Sequence, residues 1–373
     1  MATRSSSMEN LGLITNNVNI NFWNNKTVLI TGHTGFKGSW LALWLHHLGS
    51  NVVGYSKQPP TEINHYSLIG LEKLFPSIIA DIRDLDSLKK TIENYKPEIV
   101  FHLAAQSLVR PSYLDPIETY STNVIGTVNL FEAVRTNNYT KVIINVTSDK
   151  CYENKEWIWG YRENEPMGGA DPYSSSKGCV ELITQCYQQS YFTKASHTAL
   201  ASARAGNVIG GGDWAEERLV PDIMRAFMSK IPVSIRSPKA IRPWQHVLEP
   251  LAGYLQLAQA LYNQQHNFAS GWNFGPNADD AKQVSYIVEK IANLWGDQAK
   301  WKIEEDKKNL KEANFLRLDC SKAKTILGWY AKWNLDTALT KTVEWYKAYQ
   351  LGQSMYDYSL KQINEYMDSE KTI

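Results

Sequence analysis

The chain lacks several features that mark whole protein classes. Its four cysteines, Cys151, Cys179, Cys186 and Cys320, form no C-x-x-C pair, and no His/Cys cluster stands at ligand spacing. That excludes a disulfide scaffold and a structural zinc site, so the thiols are read as reduced and no metal is expected. No apolar run approaches the roughly 18 residues that a membrane span needs. The start, MATRSSSMENLGLITNN, has no apolar h-region and is not read as a secretory signal. Residues 1–23 read as a polar tail, expected to be disordered, with Met8 a candidate natural start and the cytoplasm the default compartment. A basic excess is missing as well, since 39 Lys+Arg stand against 38 Asp+Glu. Nucleic-acid and membrane-surface proteins normally carry such an excess or stripe, so neither partner is expected.

What is present is a chain of 373 residues, 43% hydrophobic, with 13 tryptophans. Length fits one large domain or two of ordinary size, and the apolar fraction can fill a core. Short β-branched runs read as buried strands: Thr27–Thr31, Asn51–Tyr55, Ile78–Ala80, Ile99–Leu103, Val142–Val146 and Ala199–Ala205. Helical spacing fills the intervals at Phe36–Leu48, Leu85–Asn94, Asn123–Arg135 and Tyr173–Tyr191, with Gly49 placed as a stop. This alternation predicts an α/β fold, a Rossmann-type doubly wound parallel sheet with a smaller C-terminal substrate-binding domain. The first domain is expected over 24–206 plus 243–274, and the second over 207–242 and 275–373.

Between the first strand and the first helix stands Gly32-His-Thr-Gly35-Phe-Lys-Gly38. Glycines there allow a tight turn and let backbone N–H groups at a helix start approach a pyrophosphate. His33, Phe36 and Lys37 complete that candidate cofactor loop, the His and Lys adding positive charge. Lys37 reads equally well as a solvated helix-start residue. The acidic ribose partner expected about 20 residues on is missing, because that stretch reads Tyr55-Ser56-Lys57. NAD is the expected cofactor, NADP stays open, and weaker NAD binding than usual is anticipated. Asp81 and Ile82, after the third strand, are candidate adenine contacts or a capping turn.

Asp171-Pro-Tyr173-Ser-Ser-Ser-Lys177 opens a helix, and residues four apart share a helix face. Lowering a phenol pKa by about three units needs about 4 kcal/mol. A fixed ammonium about 4 Å away supplies about that at an effective dielectric near 20. Further segments are His102-Leu-Ala-Ala-Gln106, Thr147-Ser148-Asp149-Lys150-Cys-Tyr152, Gly206-Asn207-Val208-Ile209-Gly210-Gly-Gly-Asp213-Trp214 and Arg242-Pro-Trp-Gln-His-Val247. With these the chain resembles the extended short-chain dehydrogenase/reductase family, and within it the CDP-glucose branch of the nucleotide-sugar 4,6-dehydratases. The resemblance runs from about Lys26 to Trp345.

The resemblance implies a lyase with an internal redox cycle acting on CDP-glucose. Tyr173 is implied as the base toward the 4-hydroxyl, with Ser148 bonding that hydroxyl and Lys177 binding the nicotinamide ribose and tuning Tyr173. Asp149 is implied as the acid for the 6-hydroxyl. Lys150 stands where relatives carry Glu, and serves as the C5 base only as a neutral amine. Read from the residues alone, Asp149-Lys150 is better described as a strand-end ion pair. Leu103, Ala104 and Ala105 are implied as cofactor contacts, and Gln106, Asn207 and Arg242 as substrate contacts. Arg204 and Arg218 are read as surface pairs, His246 as a core histidine, and most tryptophans as packing. An epimerase or net reductase of the same fold, or a dinucleotide-sensing protein, are the competing readings. A homodimer is expected through the helices after Asn123 and Tyr173.

Overall fold

The computed structural model describes residues 18–296, 299–304 and 315–370. The first 17 residues of the expected polar tail, Met8 included, lie outside the described residues. The rest of that tail is not loose. Ile20–Trp23 (α1) is a helical turn capped by Asn19, and Trp23 is fully buried, its indole N–H bonded to Gln259 at 2.7 Å. Burial of one large ring holds a segment whose polar neighbours suggest a tail.

Seven parallel strands form the central sheet: β1 (Thr27–Thr31), β2 (Asn51–Ser56), β3 (Ser77–Ile79), β4 (Ile99–His102), β5 (Val142–Val146), β6 (Ala199–Arg204) and β7 (Gly271–Asn273). Their order is β7–β6–β5–β4–β1–β2–β3. The order reverses between β4 and β1, and ligands of such sheets bind beyond the strand C-termini at that switch point. β4, β5 and β6 are buried at every residue, as strands covered on both faces must be.

Helices α2 (Phe36–His47), α3 (Leu85–Tyr95), α4 (Gly126–Arg135), α5 (Pro172–Ser190), α6 (Leu219–Met228) and α7 (Leu248–Gln264) accompany them. A π-turn over Ser121–Ile125 replaces the expected first turn before α4. α2 buries eight consecutive residues from Gly38 to Leu45, which only a helix packed on both sides does. Trp40 donates to Gly211 O at 2.9 Å and Trp44 to Met367 Sδ at 3.4 Å. Two of the many tryptophans therefore tie the sheet domain to the later segments. Trp329, Trp333 and Trp345 lie in the same core, whereas Trp159 is 66% exposed.

The smaller part is built from two-stranded pieces: Val208–Ile209 with Gln245–His246, Ile241–Pro243 with Ala281–Gln283, and Val233–Ile235 with Trp301–Ile303. Leu335–Gln350 and Met355–Asp368 pack as a helical pair behind them. Among the described residues no helix is long and apolar enough to cross a membrane.

Candidate active site

β1 delivers the glycine loop to the switch point. Gly32 has φ +78°, and a Cβ there would stand 2.7 Å from Ala104 N. A Cβ on Gly38 would stand 2.1 Å from Gly32 O. Only glycine permits approaches this close. Gly35 is the N-cap of α2 and no side chain caps that helix. The N–H groups of Phe36, Lys37 and Gly38 thus have no intrahelical acceptor and suit an anion. Thr31 fixes the opposite wall, its carbonyl accepting from Leu103 N at 3.0 Å and its hydroxyl from Ala104 N at 3.2 Å. This cradle fits the pyrophosphate of a dinucleotide.

Two expectations about the loop are corrected. His33 brings no charge to a phosphate: its ring is fully buried, bonds Ser77 Oγ at 2.6 Å, and burial takes it down to about 4. It packs against Tyr66 and beneath Gly54, where a Cβ would lie 2.3 Å from the imidazole. Lys37 is half-buried in the first turn of α2 and not fully solvated. Burial lowers its ammonium to about 7, helped by the neighbouring charges of Arg218, Lys177 and Lys150 and opposed by Asp149.

The candidate adenine end is ionic. Asp81 accepts from Arg83 N at 2.9 Å, pairs with Arg83 Nη2 at 2.6 Å, and meets Lys57 Nζ at 3.1 Å. The Arg83 hydrogen bonds, with Lys57, hold its carboxyl well below the usual range. Both the capping turn and the charge pairing are therefore filled by protein groups. Ile82 is buried and presses on α4, where a Cβ on Gly126 would stand 2.5 Å from Ile82 Cγ2.

Strand β5 ends at Val146 and places Ser148, Asp149 and Lys150 at the crevice, opposite the first turns of α5. Asp171 caps α5 through Ser174 N, Pro172 stands in its first turn, and Tyr173 and Lys177 follow one turn apart. Tyr173 and Lys177 are both buried. Burial pushes the Tyr173 phenol up to about 12, while a hydrogen bond with Ser148 and the Arg218 charge pull it down. Burial brings the Lys177 ammonium down to about 8, opposed by Glu181 and the Cys151 thiol. The Arg218 charge also lowers the Tyr173 phenol.

Asp149 is fully buried. Its Oδ1 accepts from Ser148 Oγ at 3.0 Å and meets Lys150 Nζ at 3.4 Å. Its Oδ2 is buried without a partner among the described residues. The strand-end ion pair therefore exists, yet half of the carboxylate is left over for something else. Gly206 makes room for it, since a Cβ there would lie 1.8 Å from Asp149 Oδ2.

Of the candidate substrate contacts, Asn207 sits in the left-handed region at φ +44°, its buried Nδ2 unpartnered among the described residues. An unbonded buried amide is costly, and a ligand acceptor would remove that cost. Arg242 lies on the Ile241–Pro243 strand and donates to Ile241 O at 3.1 Å. Gln106 is corrected: its amide is spent on Leu108 N at 2.5 Å, Leu108 O at 3.0 Å and Thr119 Oγ1 at 3.0 Å. It shapes the loop, both amide N–H groups being spent and only the second lone pair of Oε1 left over.

Arg204 is not a surface pair, whereas Arg218 is partly exposed in its pair with a buried Asp213. Arg204 bonds Glu181 at 2.7 Å inside the protein, and Tyr152 OH at 2.6 Å. Arg218 bonds Asp213 at 3.0 Å and reaches across to Ser107 Oγ at 3.0 Å. Asn123, read only as a helix start, clamps Gln106 N at 2.8 Å and Ser176 Oγ at 2.8 Å. The visible signal for Glu181 was its place four residues beyond Lys177, in the Tyr173/Lys177 spacing. His246 is a fully buried core histidine, as its apolar setting suggests. Among the described residues no group of three or more His, Cys, Asp or Glu is arranged to hold a metal ion.

Known proteins share this organisation. A family model described as GDP-mannose 4,6 dehydratase matches residues 29–342. CDP-glucose 4,6-dehydratase of Salmonella typhimurium is 53% identical over 94% of this chain and 98% of its own. The dTDP-glucose 4,6-dehydratase of Haemophilus influenzae is 26% identical over 86% of this chain and 97% of its own. In structure, UDP-glucose 4-epimerase of Thermotoga maritima with UDP-glucose superposes with a TM-score of 0.75 at 22% identity, covering 87% of this chain and 99% of that one. The dTDP-glucose 4,6-dehydratase of Bacillus anthracis in complex with NAD gives 0.73 at 21%, covering 88% and 98%. On the span of the family match and the identity to the Salmonella enzyme, the chain belongs to the GDP-mannose 4,6-dehydratase family, the nucleotide-sugar dehydratase group that its motifs resemble.

Proposed function

We propose that this chain converts CDP-D-glucose to CDP-4-keto-6-deoxy-D-glucose and water in the cytoplasm, with NAD held in the Gly32–Gly38 cradle. The observation that carries it is the joining of Tyr173 and Lys177 to Ser148, Asp149 and Lys150 at one strand end. An epimerase needs no acid and base across C5 and C6. The 53% identity to a CDP-glucose dehydratase over nearly the whole chain supports the same substrate.

A nicotinamide held by the Gly32–Gly38 cradle would supply a hydride acceptor at C4 and a hydride donor at C6. Tyr173 removes the 4-hydroxyl proton, with Ser148 bonding the same oxygen. Lys177 binds the cofactor ribose. Lys150 takes the C5 proton once the 4-keto group has made it acidic, and Asp149 protonates the departing 6-hydroxyl. The lack of a carboxylate in Tyr55-Ser56-Lys57, where the ribose partner would stand, supports weaker NAD binding than usual. Asn207 and Arg242 hold the sugar nucleotide, the guanidinium suiting the diphosphate through paired donors.

Two chains are expected to associate. Leu114, Ile117, Ile125 and Leu182 are each more than half exposed on the helical turns before α4 and on α5, an apolar face that a second copy covers. The test of the activity is incubation with CDP-, dTDP-, UDP- and GDP-glucose without added reductant. A 4-keto-6-deoxy product from CDP-glucose is expected, and net reduction of the cofactor overturns the assignment.

A further inference from the structure

Asp149 and Asn207 come from different segments, and dehydration as proposed above needs both at fixed places around one sugar. They meet at Gly206. Its α-carbon lies so close to Asp149 that a Cβ would stand 1.8 Å from Oδ2. The next residue, Asn207, turns the chain through φ +44°. A side chain is costly in that left-handed region, and such a turn persists where its surroundings impose it. Asn207 Nδ2 has no partner among the described residues, so that group does not hold the turn.

The grip comes from Gln245, a buried residue on the strand Gln245–His246 that pairs with Val208–Ile209. Its backbone N–H donates to Asn207 O at 3.3 Å. Its side-chain Nε2 donates to Gly206 O at 3.4 Å and to Phe274 O at 2.8 Å. The two carbonyls decide which way the amide faces, because only its NH2 group can serve both. Phe274 is anchored in turn, its N–H on Arg204 O at 2.8 Å where β7 lies beside β6. One side chain thus ties the turn after β6 to the end of β7, while its backbone takes the Asn207 carbonyl. The same segment carries Arg242, the proposed diphosphate contact.

We propose that Gln245 is a positioning residue for the elimination step. By holding the Gly206–Asn207 turn it fixes the wall against which Asp149 stands, and the place of Asn207 with it. Gln245 transfers no proton itself and acts through these two residues. Tyr173 and Ser148 stand on α5 and at the end of β5, so oxidation at C4 does not depend on this turn. Loss of water across C5 and C6 does, because Asp149 is its acid. The inference rests on the dehydration reading and adds to it a residue that the reading leaves unused.

The test is a single turnover of the NAD-loaded protein with saturating CDP-glucose, following the absorbance of reduced nicotinamide and the sugars by mass spectrometry. The wild type is expected to form the deoxy sugar and leave no lasting reduced cofactor. In Gln245→Met the reduced cofactor is expected to form at the wild-type rate. Its decay is expected to slow by about 10²-fold, the scale of misplacing a reacting group by about 1 Å. A 4-keto sugar that keeps its 6-hydroxyl then accumulates. Gln245→Glu has the same shape with at most one O–H donor, is expected to fall between the two, and serves where Gln245→Met does not fold. A merely structural role would slow both phases together or lower the active fraction. Equal slowing of both phases, or decay at the wild-type rate in a folded variant, overturns the inference. Failure of both variants to fold overturns it too, since Gln245 would then carry the fold and not the step. A wild type that forms no 4-keto-6-deoxy sugar overturns the dehydration reading instead.

Discussion

The Glu181 carboxylate meets the Arg204 guanidinium at 2.7 Å, one helical turn beyond Lys177, with neither side chain more than 5% exposed. Glu181 also accepts from Thr147 and from Ser202 at 2.7 Å, and Arg204 donates to Tyr152 OH and Glu163 O. Burial works to raise the Glu181 pKa, yet Arg204 and these hydroxyls hold it below its usual value. The pair is a buried foundation beneath Ser148 and Lys177, with Arg204 Nε left without a partner among the described residues.

Removing one partner of a buried pair leaves an uncompensated charge and costs about 3–5 kcal/mol. Glu181→Leu is expected to lose that much stability to denaturant at neutral pH. The double variant Glu181→Leu/Arg204→Met is expected to be more stable than Glu181→Leu, because no lone charge remains. A double variant no better than the single one would show that the hydroxyl network, and not the ion pair, carries the stability.

Lys150 sits 3.4 Å from Asp149 and is the proposed C5 base. Lys150→Met keeps the chain length and removes the amine. Cofactor binding is expected to persist, while exchange of the C5 hydrogen with deuterated solvent stops. Turnover should drop by about 10²–10⁴, the range of general-base contributions. Mass spectrometry of recovered sugar checks it, and unchanged turnover rejects the assignment.

Four histidines are buried: His33 is held near 4, and His65, His102 and His246 near 3, all chiefly by burial. Each takes a proton below about 6.5 when unfolded and remains neutral when folded. The unfolded chain then binds more protons, so stability is intact above about 6.5 and falls as pH drops toward 4. Each group contributes about 1.4 kcal/mol of loss per pH unit in that window. Denaturant unfolding between pH 7.5 and about 5 is expected to show this steep acid limb. His246→Phe should make it shallower.

Much of this architecture was legible because burial on both faces leaves a plain mark. β1, β4 and β5 are runs of Val, Ile and Leu, and the glycine spacing at 32, 35 and 38 records backbone contacts that only glycine allows. β7 was not legible, since Gly271-Trp-Asn273 has three residues and no aliphatic one. Arg204 misled because a charged residue at a strand end usually meets water. Its partner lies 23 positions earlier on another element. Gln106 misled because its fate is set by Thr119 and Leu108, contacts that a loop makes only once folded.

Gly206 gives the sharpest test of where the reaction takes place. It ends no helix and has no left-handed φ, so its backbone tolerates alanine. Only the space beside Asp149 forbids it. A Cβ would stand 1.8 Å from Asp149 Oδ2 and 2.0 Å from its Cγ. Asp149 cannot withdraw easily, because Oδ1 is tied to Ser148 and Lys150. Gly206→Ala therefore has to turn the carboxylate or move the 206–209 segment that carries Asn207. Overpacking of this kind costs about 1–3 kcal/mol, which a chain of this size survives. Turnover should fall by at least about 100-fold, consistent with misplacing reacting groups by about 1 Å. NAD binding, held by the separate cradle at Gly32–Gly38, should be unaffected. Full turnover in a folded Gly206→Ala would mean that Asp149 need not keep its position, and would remove it from the proposed chemistry.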